Sequence, residues 1–379
     1  MGSTPLPRSN SRGDVAQEPD VRESPLEVRP PTPDALCIET PLSALDTPIT
    51  PTSRFFVRNH FATPEINVES WRLVIEGDVE RPQTLTYAEF RALPHKELAA
   101  VLECAGNSRS TVRPKPEGVL WRNGAVGTAR WTGVPLAALL DRAGVRAGAI
   151  EVLFEGLDHG TEPGVEGELN FGMSVTLEKA RDPETLIADE MNGEPLTPRH
   201  GFPVRAVVPG WYGMASVKWL SRIVVLRHPF RGYFRARAYA FIMEGEKAEA
   251  LHRPVTTVRV KSLITSPKEG QILDEGVHRI RGVAWSGAGG IARVEVSVGG
   301  LSESLEEETW HAATLREEAS PHAWTHWEFS CSLSRPGFYV VRVRATDERG
   351  NVQPFSAKWN YRGLGNNSVH EVPIEVRRS

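Results

Sequence analysis

Apolar and polar positions divide the chain into three textures. Through residue 45 no apolar face repeats. Pro5, Pro7, Pro19, Pro25, Pro30, Pro31 and Pro33 sit there among charged and small residues, which predicts a disordered leader over residues 1–45. Over residues 46–250 short apolar segments alternate with polar turns. Residues 71–76 (W-R-L-V-I-E) alternate as a strand and stop at Gly77-Asp78. Residues 86–93 open on Thr86 with Glu89 three positions on, the capping box of a short helix. An apolar run at 99–102 predicts a buried strand, and 135–143 (P-L-A-A-L-L-D-R-A) a helix with Pro135 at its start and Gly144 beyond its end. Residues 151–158 form a strand ending in an acid. Two more strands, 200–209 and 217–226, are joined by G-W-Y-G at 210–213. Residues 229–239 are dense in arginine and aromatics, as at a solvated edge or in the lining of an anion pocket. Strands and short helices are mixed, so this is an α+β domain and not a doubly wound sheet.

From residue 251 to 379 the texture is strands alone. Segments 262–267, 277–285, 291–298, 324–333 and 338–345 recur at regular spacing, and Val294, Val296 and Val298 alternate with Arg293, Glu295 and Ser297. Gly299-Gly300 and Arg349-Gly350-Asn351 read as turns. The expectation is an all-β sandwich of immunoglobulin size, with no internal repeat.

Composition narrows the function classes. At 379 residues the chain is long enough for two cores and a tail. A net charge of -4 gives no broad basic footprint for nucleic acid, and no apolar run is long enough to span a membrane, so neither partner is expected. The 3 cysteines, Cys37, Cys104 and Cys331, are far apart and odd in number, which argues against a disulfide framework and fits a reducing compartment. None lies in C-x-x-C or C-x-x-C-H, so no zinc ribbon, iron–sulfur signature or covalent haem site is expected. The leader has neither a basic start before an apolar run nor a twin arginine. The expected setting is cytoplasmic, or periplasmic if a signal has been removed.

One stretch carries chemistry. L-E-C-A-G-N-S-R-S at 102–110 puts Cys104 at the end of a buried strand, beside a small-residue turn, with Arg109 five positions on. A thiolate is a soft ligand, and a nearby guanidinium lowers a thiol's pKa, so the arrangement suits a metal-binding or nucleophilic cysteine, although a buried free cysteine is more often packing. Residues 54–60 (R-F-F-V-R-N-H) deliver Arg58, Asn59 and His60 together on an extended segment.

Taken in order, F-F-V-R-N-H (55–60), L-E-C-A-G-N-S-R (102–109), Trp121 with G-A-V-G-T-A-R-W (124–131), F-E-G-L-D (154–158), H-G-F-P-V-R (200–205), V-K-W-L (217–220) and N-V-Q-P followed by W-N-Y-R-G (351–363) resemble the sulfite oxidase family of molybdenum enzymes. Each fragment alone is weak; their order makes the likeness specific over residues 50–375. The resemblance implies a mixed molybdopterin-binding catalytic domain at 46–250 and an immunoglobulin-like dimerisation domain at 251–379. It also implies one molybdenum-molybdopterin per chain, no haem, and a homodimer that passes electrons to an external acceptor, a cytochrome or oxygen. Cys104 is implied as the protein ligand of the metal. Phe56, Val57, Arg58, Asn59, His60, Asp158, His200, Arg205, Ser216, Val217 and Lys218 match its cofactor contacts. Arginine and lysine can hold the cofactor's phosphate, and Asp158 can accept from pterin nitrogens. On the substrate side, Arg58, Arg109 and Arg362 match anion-binding arginines, Trp121 a wall, and Tyr239 a hydrogen-bonding group, with Tyr233 as a neighbouring alternative. Three guanidinium groups in one pocket repel one another unless an anion sits between them. Ser108 departs from the animal members, which carry a second arginine there.

The implied reaction is oxidation of sulfite to sulfate. Two other readings stay open: reduction of nitrate or another small oxyanion, whose enzymes tend to replace the tyrosine and the β-domain arginine, and a non-catalytic sandwich module on a decayed cofactor domain. Decay would have removed some of Cys104, Arg58, Arg205 and Lys218, and all are present. Gly287-Ala288-Gly289-Gly290 looks like a phosphate loop in composition only and is read as a loop between strands, and His322 and His326 as surface histidines on a strand.

Overall fold

The computed structural model describes residues 27–30, 32–243, 245–246, 253–300, 309–316 and 320–378. Most of the expected leader therefore lies outside the described residues.

Two five-stranded sheets build the first half. In one, Lys96–Glu103 pairs with Val126–Pro135, which pairs with Leu186–Met191; Glu194–Pro195 and Arg205–Val207 also pair with that third strand. The other runs Gln83–Thr86, Arg72–Gly77, Leu220–Leu226, Glu151–Gly160, Leu169–Thr176, with Arg72–Gly77 and Leu220–Leu226 parallel. The helix Leu136–Ala143 closes one side because Leu136, Leu139, Leu140 and Ala143 share a face and are fully buried. Each such leucine contributes on the order of 1.5–3 kcal/mol by burial. Gly144 ends the helix at φ 70, a left-handed position that favours glycine. The capping box at Thr86 and Glu89 is present in full, and the helix runs Tyr87–Arg91.

The second half is a β-sandwich. Lys261–Ser266, Gly276–Trp285, Thr325–Leu333 and Thr314–Leu315 form one sheet; Ile272–Asp274, His370–Arg377, Gly337–Asp347, Ile291–Gly300 and His311–Ala312 form the other. Ile280, Val294, Val296, Trp327, Val341 and Val343 fill the space between them. The α+β arrangement followed by an immunoglobulin-like sandwich is thus as expected.

Several local expectations change. Residues 36–45 are not an unstructured end of the leader: Leu36–Ile38 pairs with Val57–Asn59, opposing Cys37 to Arg58, and Leu42–Asp46 forms a 3-10 turn that buries Ala44 and Leu45. A short apolar strand can be stabilised by pairing that periodicity does not reveal. The strand expected at 200–209 shrinks to Arg205–Val207, because His200 closes a 3-10 turn and Gly201 takes φ 106 ahead of Pro203. That short strand and Leu220–Leu226 lie in different sheets, Trp219 breaking the path at φ 49. Gly299 and Gly300 continue the strand Ile291–Gly300 instead of turning. The arginine-rich stretch folds into one π-helical turn, Phe234–Ala238, and buries Arg235. His326 is half-buried, its Nε2 3.1 Å from Leu45 O, while His322 meets Glu184 outside the strand. Gly287–Gly290 connects two strands, as expected.

Candidate active site

Cys104 is the first residue after Lys96–Glu103 and is buried. Its carbonyl accepts from Asn107 N–H at 2.9 Å, so the chain turns back at once. Burial pushes the thiol pKa up, whereas the Gly106 amide, Arg109 and Arg58 pull it down. A bound cation at the sulfur would reverse that balance and keep it as thiolate.

Arg109 reaches back over the same turn. A Cβ on Gly106 would stand 2.7 Å from its Nη2, one on Gly118 2.9 Å from its Nη1, and one on Gly363 3.2 Å from its Cγ. Glycine at these positions is what lets the backbone close on the guanidinium. Arg109 donates from Nε to Arg362 O at 2.8 Å and from Nη1 to Val119 O at 2.8 Å, which brings the Arg362 loop of the sandwich domain onto the Cys104 turn. Burial lowers its pKa, and Arg58 and Arg362 lower it further.

A cavity opens beside this turn, lined by Phe56, Arg58, His60, Cys104, Asp158, His200, Arg205, Ser216, Lys218 and Tyr239. Val57 and Val217 are buried behind it, and Asn59 accepts from Lys218 Nζ. Trp121 is buried in the apolar cluster that contains Cys104 and does not itself line the cavity, and neither do Arg109 and Arg362. Tyr239, not Tyr233, faces the cavity: its hydroxyl lies 2.7 Å from His60 Nε2, while Tyr233 packs edge-on against Phe234. Sequence reading missed the apolar walls Phe55, Leu102, Phe171, Met214 and Trp219, and it missed Glu162, which meets His60 from a loop with no motif of its own.

The cavity lining also holds positive charge. Arg205 donates to His200 O at 3.0 Å and to Ser216 O at 2.9 Å, and stacks 5.0 Å from the Trp131 ring. Lys218 donates to Arg199 O at 3.0 Å and stands 4.3 Å from the Trp219 ring. These partners orient the cations without neutralising them. Burial lowers Arg205 to about 9; burial and Arg205 together push Lys218 well down. Burial, with Lys218 and Arg205, also holds His200 at about 3, so His200 is neutral. Asp158 is pushed up to about 7 by burial, and its Oδ1 is buried with no hydrogen-bond partner. A Cβ on Gly156 would come within 2.5 Å of that oxygen.

This set fits a molybdopterin. Two oriented cations suit its phosphate, the unpartnered Asp158 oxygen suits a pterin N–H, and the thiol of Cys104 suits a soft metal. Among the described residues no group of three His, Cys, Asp or Glu side chains could hold a metal ion unaided. One protein thiolate plus ligands carried by a cofactor remains consistent with that. Ser108 accepts from Lys261 Nζ at 2.8 Å, which brings a cation of the sandwich domain to the Cys104 turn.

Comparison with known proteins agrees with the geometry. Residues 60–234 match the oxidoreductase molybdopterin binding domain, and residues 252–377 match the Mo-co oxidoreductase dimerisation domain. Mouse mitochondrial sulfite oxidase is 36% identical over 348 residues, 86% of this chain and 62% of that protein. The NADH nitrate reductase 2 of Phaseolus vulgaris is 34% identical over 86% of this chain and 39% of its own length. The crystal structure of the sulfane dehydrogenase SoxCD from Paracoccus pantotrophus superposes with TM-score 0.78 and 27% identity, covering 97% of this chain and 92% of that one. The chain spans about three fifths of the length of the sulfite oxidases it matches.

Proposed function

This chain belongs to the sulfite oxidase family of molybdopterin-dependent oxidoreductases, and from that premise we propose that it oxidises sulfite to sulfate and passes the electrons to an external acceptor, a cytochrome or oxygen. The observation that carries this reading is the arginine cluster at the Cys104 turn: Arg58 lines the cavity, and Arg109, clamped to the Arg362 loop, lies outside its lining but close enough for the charges of Arg58 and Arg362 to lower its pKa. The molybdenum cofactor, when bound, supplies the two-electron oxo-transfer chemistry. The overall change is sulfite plus water giving sulfate, two protons and two electrons.

The protein's own residues have separate tasks. Cys104 would hold the metal. Arg205 and Lys218 would take the phosphate, Asp158 would accept from the pterin, and Asn59, His200 and Ser216 would keep those side chains oriented. Phe56, Val57 and Val217 would wall the cofactor from water. Arg58, Arg109 and Arg362 would neutralise and orient the oxyanion, their mutual repulsion relieved when it arrives. Trp121 would back the Cys104 turn, and Tyr239, tied to His60, would order the substrate side. The match to a dimerisation domain supports a homodimer. No described helix is long and apolar enough to cross a membrane.

Nitrate reduction is the second reading, because nitrate reductases match at nearly the same identity, 34% against 36%. Tyr239 in the cavity and Arg362 over Arg109 favour sulfite. The test uses protein from a host that makes molybdopterin, assayed with sulfite and an artificial oxidant, and with nitrate and an artificial reductant. Turnover with sulfite alone is expected; turnover with nitrate alone would replace the proposal.

A further inference from the structure

The loop between Glu151–Gly160 and Leu169–Thr176 is almost wholly exposed, and Gly164 and Gly167 take φ 78 and 85 with open space around them. Glu162 is an exception. Its side chain is 15% exposed and its Oε1 lies 2.9 Å from His60 Nδ1, while Nε2 of the same ring lies 2.7 Å from the Tyr239 hydroxyl. His60 is held by stacking on Phe171, edge contact with Phe234, and a T-shaped contact with Tyr239.

Two groups compete for Nδ1. An ionised carboxylate can only accept, so Glu162 requires the proton on Nδ1; the Arg58 guanidinium, whose Nη2 is 3.1 Å from the same nitrogen, can only donate and requires it bare. Glu162 is kept ionised by His60 and Arg58 despite its burial. Arg58 has a second outlet, donating from Nη1 to Asn59 O. Glu162 has the better claim. With Nδ1 protonated and the ring neutral, Nε2 is an acceptor and the phenol must be the donor. Among the described residues, the charged and titratable groups that act on the ring include Arg58, Glu162, Tyr239 and Lys218, and of these only Tyr239 is within hydrogen-bonding distance of Nε2.

We propose that Glu162 is a positioning residue for the reaction, which fixes the tautomer of His60 so that Tyr239 spends its only proton on His60 and turns its oxygen lone pairs to the cavity. Tyr239 is thereby an acceptor there, suited to hold a water or a hydroxyl and not to donate to an oxyanion. The water consumed in making sulfate is such a donor, and in this respect the proposal rests on the sulfite reading. The assignment of the tautomer stands on the three side chains alone.

The test compares wild type, Glu162→Ala and Glu162→Gln. Long-range proton–nitrogen spectra of the 15N-histidine-labelled holoenzyme, with the His60 signals identified by their loss in His60→Gln, should show Nδ1–H in wild type. They should show Nε2–H in Glu162→Ala, where Arg58 is the neighbour left at Nδ1. Glu162→Gln retains an acceptor oxygen and should retain Nδ1–H. Sulfite turnover should fall about tenfold in kcat in Glu162→Ala, the scale of one hydrogen bond, with KM changed far less, and should be largely rescued in Glu162→Gln. Nε2–H in wild type, or an unchanged tautomer in Glu162→Ala, would overturn the proposal. If the wild type turns over no sulfite, the sulfite reading fails, and the spectra still decide the role of Glu162.

Discussion

The buried pair Glu103–Lys261 joins the Cys104 strand to the sandwich domain, and breaking it tests how the two halves hold the site. Lys261 Nζ lies 3.1 Å from Glu103 Oε1 and 2.8 Å from Ser108 Oγ; both charged side chains are 2% exposed. Glu103 also accepts from Trp285 Nε1 at 2.9 Å and from Asn107 Nδ2 at 3.0 Å. Lys261→Met keeps the volume and removes the cation, leaving a carboxylate sealed from water with two neutral donors. Stranding one member of a buried pair costs about 3–5 kcal/mol. At about 2–4 °C per kcal/mol, thermal unfolding of the holoenzyme should begin roughly 6–20 °C lower. Glu103→Gln combined with Lys261→Met removes both charges while the glutamine oxygen still accepts from Trp285 or Asn107. Most of the loss should then be recovered, because a neutral, hydrogen-bonded replacement of a buried pair is often nearly neutral in stability. A loss below about 1 kcal/mol in Lys261→Met, or a double variant no better than the single one, would refute the assignment of this pair as a sealed link between the domains.

Other consequences can be measured separately. Arg362→Met should weaken apparent sulfite affinity by about 1–3 kcal/mol, the scale of a charged hydrogen bond; an unchanged affinity in steady-state kinetics would put Arg362 outside the substrate site. Burial, with nearby cations, holds His60 at about 4, His200 at about 3 and His370 at about 4. Between about pH 6.5 and 4 the unfolded chain therefore binds protons that the native chain does not, and stability falls as pH falls. Asp158, raised to about 7 by burial, binds its proton first in the native state and offsets one of the three. Denaturant unfolding of cofactor-free protein should lose stability as pH falls across that window, on the order of 1.4 kcal/mol per pH unit for each proton not offset. A flat profile would contradict the buried neutral histidines.

The sequence reveals this site where local chemistry and order coincide. Cys104 and Arg109 lie on one tight turn, and Lys218 comes with a bulky neighbour that packs it, Trp219. Contacts made across long stretches of chain are hidden. Glu162 reaches His60 over 102 positions and Lys261 reaches Glu103 over 158, and neither has a periodicity or motif to announce it. The short strand Leu36–Ile38 was invisible for the same reason, since its stability comes from pairing with Val57–Asn59. Conversely, residues 200–209 look like one strand by their apolar content, yet Gly201 and Pro203 bend the chain so that His200 and Arg205 meet in one wall of the cavity.

Metal ligation by Cys104 and reaction with sulfite are tested together by an anaerobic visible absorption spectrum of purified holoenzyme before and after sulfite, alongside Cys104→Ser. A thiolate-to-metal band that bleaches when sulfite is added is expected in the wild type, and no such band and no turnover in Cys104→Ser. A band that ignores sulfite, or a Cys104→Ser protein with the wild-type spectrum and near-normal activity, would contradict that expectation.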